Sequence, residues 1–164
     1  MVIKPTKGDF LHDYQNRNNL HMGVTNSKGF VLEYDSSGLH RHKTLDWNQC
    51  IVIELKGAVD PDVINDPDWP EYWDACLENT AAFWTGEPYE AQDNNCFAFV
   101  LAFLRSLKQN PLSMSAHNKV DFCTQHVLPK TTLAGKYICL YRKIKSHQGS
   151  YVTQKKTRNI VPLV

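Results

Sequence analysis

Apolar residues alternate along 20–25 and again along 30–35: Leu20, Met22 and Val24, then Phe30, Leu32 and Tyr34. That period of two, interrupted by the turn signal NSKG, predicts a β-hairpin with one face on a core. Gly29 suits the left-handed position of a three-residue loop. In that register the other face carries His21, Gly23 and Thr25 on one strand and Val31, Glu33 and Asp35 on its partner. Further strands are expected at 50–55 (CIVIEL) and, shorter, near 39–42. After the Asp/Pro-rich stretch DPDVINDPDWP the pattern changes, and it predicts a helix over about 69–83. A second helix is predicted from 96 to 107, a run without Gly or Pro that follows the good N-cap residues Asn94 and Asn95. It is apolar almost all round, so it forms the axis of the core. The segments HNKVDFCTQHVL and TTLAGKYICLYRKIK read as further helices or as a helix and a strand, because 137–144 fits either period.

These elements predict an α+β fold, an antiparallel sheet packed on a central helix that begins at Cys96. The length of 164 residues allows one domain, here 1–152, with a basic C-terminal tail at 153–164. Charge changes this picture only by its distribution. The net charge is +1, yet between Asp46 and Asp93 the acids face a single base, Lys56, and beyond Arg105 the only acid is Asp121. The basic half lacks the Gly-aromatic signature of an RNA-recognition module and any zinc-finger spacing, so no nucleic-acid partner is expected. The longest apolar run, Phe97 to Leu104, is far short of the ~18 residues that span a bilayer, and no amphipathic basic helix stands out as a membrane-surface element. With no apolar leader at the start, a cytoplasmic or nuclear location is expected. The five cysteines are odd in number and have no CxxC pair, which predicts reduced thiols rather than disulfides or a zinc knuckle.

Candidate chemistry concentrates in two places. Cys96 falls in the first turn of the central helix, where unpaired N–H groups and the helix dipole favour an anion. A lone cysteine beside Phe-Ala-Phe-Val is equally suited to the core. A thiol hydrolase needs in addition an imidazole to move the proton and a polar group to orient it. His21 on the hairpin supplies the first, and Glu33 or Asp35 on the same face supplies the second, since cross-strand neighbours lie ~5 Å apart and diagonal ones roughly 7–8 Å. Gly23 on that face would let the helix start approach closely.

The stretches NLHMGVTNSKGFVLEYD and, some sixty residues later, DNNCFAFVLAFL resemble the circularly permuted papain-like (NlpC-type) hydrolases, in which a strand histidine precedes a helix-start cysteine. Desumoylating isopeptidases pair an HTG strand with an HNC helix start, and relatives of lecithin retinol acyltransferase pair a strand histidine with NCEHF. In the latter a second histidine follows the first by twelve residues, and here Glu33 holds that place. Over nearly its whole length, in the hairpin, the Asn-Cys helix start and the stretch VLPKTTLAGKYICLYR, the chain also resembles the makorin-2 opposite-strand protein family. The permuted-papain resemblance implies that Cys96 attacks, that His21 is base and then acid, and that Glu33, or Asp35, orients the ring. It implies a cysteine isopeptidase or deacylase with no cofactor and with a protein substrate such as a ubiquitin-like conjugate. Asn95, Gly23, Trp84 and Trp73 would line the substrate path, the acidic Trp-containing segment forming one wall. The rival readings are a lipid or thioester acyl hydrolase and a non-catalytic interaction domain in which Cys96 is a core thiol. His40 and His42 share a strand face as a metal pair would, but a third ligand is not predicted, so no metal site is expected.

Overall fold

The computed structural model describes residues 1–15 and 18–150. Five antiparallel strands form one sheet in the order β4-β3-β2-β1-β5: β1 Val2–Pro5, β2 Leu20–Thr25, β3 Phe30–Asp35, β4 Gly38–Lys43 and β5 Ile51–Val52. The hairpin β2–β3 turns through Gly29 at φ 79°, and Asn26 Oδ1 stabilises the turn by accepting from the N–H groups of Lys28 and Phe30. Its register pairs Gly23 with Glu33 and Val24 with Leu32. The strand expected at 39–42 is β4, slightly longer than predicted. The strand expected at 50–55 shortens to β5, because the chain leaves the sheet after Val52 and enters a 3-10 turn at Lys56–Ala58.

Six helices follow: α1 Pro61–Ile64, α2 Trp69–Trp84, α3 Cys96–Ser106, α4 Leu112–Ser115, α5 Lys119–Phe122 and α6 Leu128–Ser146. A five-residue π turn, Cys123–Val127, joins α5 to α6. The ambiguous stretch 137–144 is therefore helical. α3 is the axis of the core: Phe99, Val100, Phe103 and Leu104 are completely buried against Met22, Val24, Leu32 and Tyr34 of the hairpin and Leu77 of α2. Each such side chain contributes about 1.5–3 kcal/mol by leaving water. α2 is tied to the hairpin tip by polar contacts, with Asp74 accepting from Ser27 N–H and Oγ–H and Trp73 Nε1 donating to Thr25 O. Among the described residues no helix is long and apolar enough to cross a membrane. The tail expected at 153–164 lies outside the described residues.

The second face of the hairpin departs from the alternation. His21, Val31 and Glu33 point away from the main core yet are buried. The cover is Trp47, at the end of a 3-10 turn, Thr44–Trp47, that follows β4; with Val2 and Val31 it forms a second small apolar cluster. Gly23 is required by this cover. A Cβ there would meet Val31 Cγ1 at 2.6 Å, Leu32 O at 3.0 Å and Trp47 Cζ2 at 3.3 Å. The close approach at Gly23 is thus made by β3 and Trp47, not by the start of α3.

Candidate functional site

The site is assembled where the start of α3 meets β2. The chain enters α3 through a tight loop closed by paired bonds between Glu90 and Asn94. Asn95 then takes an extended conformation, and its Oδ1 accepts from Phe97 N–H (3.0 Å) and Ala98 N–H (3.2 Å). Its Nδ2 donates backward to Ala91 O and Gln92 O. The side-chain amide of Asn95 is therefore fully used as a helix cap, and it organises the turn on which Cys96 stands rather than offering a donor to a ligand. Cys96 is the first helical residue and is 5% exposed.

His21 approaches this thiol from the second position of β2. Its Nε2 bonds to Glu33 Oε2, and the Cys96 side chain lies near enough to act on the charge of the ring. With Nε2 engaged by the carboxylate, Nδ1 is the nitrogen left for sulfur. The ring is 7% exposed and stacks on Trp47, centroids 5.9 Å apart at 28°. Burial alone would push its pKa down, but the Cys96 and Glu33 side chains outweigh this and push it up to about 9. The imidazolium form is favoured, with the Glu33 carboxylate against it.

Glu33 is held from three sides. Besides His21, its Oε1 lies 2.8 Å from His42 Nε2 and its Oε2 3.7 Å from Lys4 Nζ. Burial would raise its pKa, yet His21, Lys4 and His42 together hold it below the usual carboxylate range. The geometry follows from the sheet: Lys4 pairs with His21 across β1–β2, Glu33 is diagonal to His21 on β3, and His42 stands opposite Val31 on β4. Lys4, His21, Glu33 and His42 thus form a polar row across four strands that converges on the Glu33 carboxylate, roofed by Trp47, whose ring lies 4.0 Å from Lys4 Nζ.

Asp35, the other carboxylate the sequence offered, turns outward. It accepts from Ser37 N–H and Oγ–H and from His40 Nε2 at 3.1 Å, so it orients His40 and not His21. The two histidines of the HRH stretch consequently serve different carboxylates. Trp84 and Trp73 do not flank Cys96. Trp84 is buried edge-on against Tyr34 and Phe99, and Trp73 packs edge-on against Phe103 beside the hairpin tip, four residues along β2 from His21. Apolar burial took the Trp84 ring inward, whereas Trp73 stays partly exposed. Tyr89 is the aromatic neighbour the sequence reading missed. Its ring packs on Tyr34, centroids 5.6 Å apart, and burial first, then the charges of Cys96 and Asp35, push its phenol pKa up.

Lys4, His42 and Trp47 were also missed. β1 is too short to announce itself by periodicity, and the roofing role of Trp47 depends on a turn that no local pattern specifies. Among the described residues, grooves open on the surface away from the Cys96–His21 pair. One runs between β5, the hairpin tip and Trp69 and Trp73; another lies between α6 and the segment around Tyr14.

Comparison with known proteins places the chain beside one of human origin. It is 34% identical over 154 residues to the MKRN2 opposite strand protein of Homo sapiens, an alignment covering 93% of this chain and 65% of that protein's length. No solved structure matches it. The family described as DUF4796 C-terminal matches residues 1–144, and with most of its length so covered the chain belongs to that family.

Proposed function

We propose that this chain is a cysteine-dependent hydrolase of the permuted papain-like (NlpC-type) kind, with Cys96 as nucleophile, His21 as general base and acid, and Glu33 as the orienting carboxylate. The observation that carries this reading is the buried His21 ring, held between the Cys96 side chain and Glu33 and pushed up to a pKa of about 9. A core cysteine needs no such partner. In the reaction the Cys96 thiolate attacks a carbonyl carbon, and the oxyanion of the tetrahedral adduct is met by the Cys96 N–H, which the Asn95 cap leaves unclaimed. The His21 imidazolium gives its proton to the departing amine, and the acyl group stays on sulfur as a thioester. Neutral His21 then takes a proton from water as the water attacks the thioester, releasing acid and regenerating the ion pair. Glu33 keeps the ring oriented and stabilises its cationic form at both stages.

The bond class that fits is a protein-derived amide or isopeptide, as in a ubiquitin-like conjugate, since the surroundings of Cys96 are a charged sheet face and a phenol rather than an apolar funnel. A second reading rests on burial: at 5% and 7% exposure, Cys96 and His21 are also compatible with a non-catalytic interaction domain that keeps the arrangement for stability. Labelling the purified chain with electrophilic ubiquitin-like and acyl probes separates these. The hydrolase reading expects adducts on Cys96 that vanish in Cys96→Ser and fall at least ten-fold in His21→Asn. No adduct with any probe, while the other cysteines still react with a small alkylating agent, supports the second reading. Adducts with acyl probes alone would move the substrate class to lipids or thioesters.

A further inference from the structure

α6 is the longest helix of the fold, 19 residues or roughly 28 Å, and none of its residues is buried. Its orientation is fixed on one side by Arg142, whose guanidinium donates to Phe10 O, Leu11 O and Tyr14 O at 2.8 Å each. At about 100° per residue, Leu133, Tyr137 and Leu140 fall roughly opposite Arg142, with Tyr141 beside them. These four are 50%, 65%, 42% and 41% exposed. A continuous Leu/Tyr stripe therefore faces solvent.

The charges around the stripe decide what it fits. α6 contains Lys130, Lys136, Arg142, Lys143 and Lys145 and no acidic residue. Lys136 and Lys143 border the stripe on one side and Lys145 on the other, where its ammonium lies 6.0 Å from the Tyr141 ring. Lys130 stands at the N-terminal end of the stripe. A second copy of the chain would bring two all-basic helices together, which like-charge repulsion opposes. The core of a protein–protein contact is depleted of lysine. Lysines that flank Leu and Tyr on both sides of a convex helix match a lipid interface, where ammonium groups reach phosphate while aromatic and aliphatic side chains enter the headgroup boundary.

We propose that the outer face of α6 docks the protein peripherally onto an anionic membrane surface, with Leu133, Tyr137, Leu140 and Tyr141 inserted and the α6 lysines on lipid phosphates. The exposed stripe is offset from a second, Arg142-centred side of the helix, and the two blur the amphipathic pattern along the sequence. This proposal stands apart from the catalytic reading, and it locates the chain on a surface without assigning a substrate.

Vesicle flotation of the full chain tests it, using phosphatidylcholine alone and with roughly 30% phosphatidylserine at about 0.1 M salt. The expected result is association with the anionic vesicles only, at least ten-fold weaker for Leu133→Glu/Tyr137→Glu and for Lys130→Glu/Lys136→Glu. All four positions are exposed, so both variants should melt with wild type, and the charge-reversal pair decides the matter if the first does not. Replacing Lys155, Lys156 and Arg158 with alanine should leave flotation within two-fold, separating α6 from the basic tail. Absence of binding to anionic vesicles, binding unaffected by both α6 variants, or binding lost with the tail alone would overturn the proposal. So would a concentration-dependent dimer that dissociates in Leu133→Glu/Tyr137→Glu, which would assign the stripe to a second copy.

Discussion

Replacing Glu33 with glutamine keeps the shape of the side chain while removing the charge on which His21, His42 and Lys4 converge. In the folded chain His21 titrates at about 9, against about 6.5 for an unfolded histidine. Its folded pKa is the raised one, so the stabilisation it contributes is fully present below about pH 6.5 and is lost as pH climbs through about 9. At 1.36 kcal/mol per unit, that difference is worth about 3 kcal/mol for a ring this deeply buried. Cys96 and Glu33 share it, and removing the Glu33 part should lower the His21 pKa by about one unit or more. Glu33 itself works in the opposite sense. Its folded pKa is depressed, so its contribution is present above about pH 4.3 and disappears as pH falls through the folded value. Wild type should therefore show a stability plateau between these two limbs, and Glu33→Gln should flatten both. Loss of a buried charged hydrogen bond costs about 1.5–3 kcal/mol, which for a domain of this size lowers the melting temperature by roughly 3–12 °C at pH 6. NMR titration of the His21 Cε1 proton, with urea unfolding at pH 5, 6 and 9, measures every part of this. A His21 that titrates near 6.5 in wild type, or one whose midpoint does not move in Glu33→Gln, would refute the reasoning.

Three further outcomes follow from the same geometry. Asn95→Ala removes both cap bonds at the start of α3 and should destabilise by about 1–2 kcal/mol, read as a shift in urea midpoint at constant slope. Gly23→Ala forces a methyl group onto Val31 and the Leu32 carbonyl and should cost about 1–3 kcal/mol; an unchanged melting temperature would mean that the Trp47 cover is looser than described. His21→Asn should slow alkylation of Cys96 by about ten-fold, by removing the cation beside the sulfur, while leaving exposed Cys139 unaffected when both are followed by mass spectrometry.

The parts of this molecule that local chemistry dictates were legible in the sequence. The hairpin announces itself through alternation and the NSKG turn, and α3 through its Asn cap and unbroken apolar run. The diagonal between His21 and Glu33 follows from a pleat of period two. What escaped the sequence depends on tertiary contacts. Four residues of β1 carry no period, yet their pairing with β2 puts Lys4 across from His21. Asp35 has the better register for His21, since continuing the Gly23–Glu33 pairing places it directly across. Ser37 and His40, only two and five residues further on, capture it instead. A polar hairpin face reads as solvated unless the turn after β4 is known to carry Trp47 back over it. The tryptophans near the acidic helix have no signature that tells a core ring from a groove wall: Trp84 is buried against Phe99, while Trp73, packed on Phe103, also lines the groove beside the hairpin tip.

The attachment of α6 has a consequence for how the molecule opens. α3 cannot expose its amides without dismantling the core, so its slowest-exchanging protons report the global unfolding free energy. α6 is joined to the body through the π turn, the Arg142 guanidinium, Lys145 on His12 and a short contact with β5, with no buried residue of its own to anchor it. Its amides can therefore exchange with solvent through a separate, lower-energy opening, in which the helix lifts while the sheet and α3 remain folded. Hydrogen exchange should divide the described fold into two cooperative units, with the boundary at Cys123–Val127.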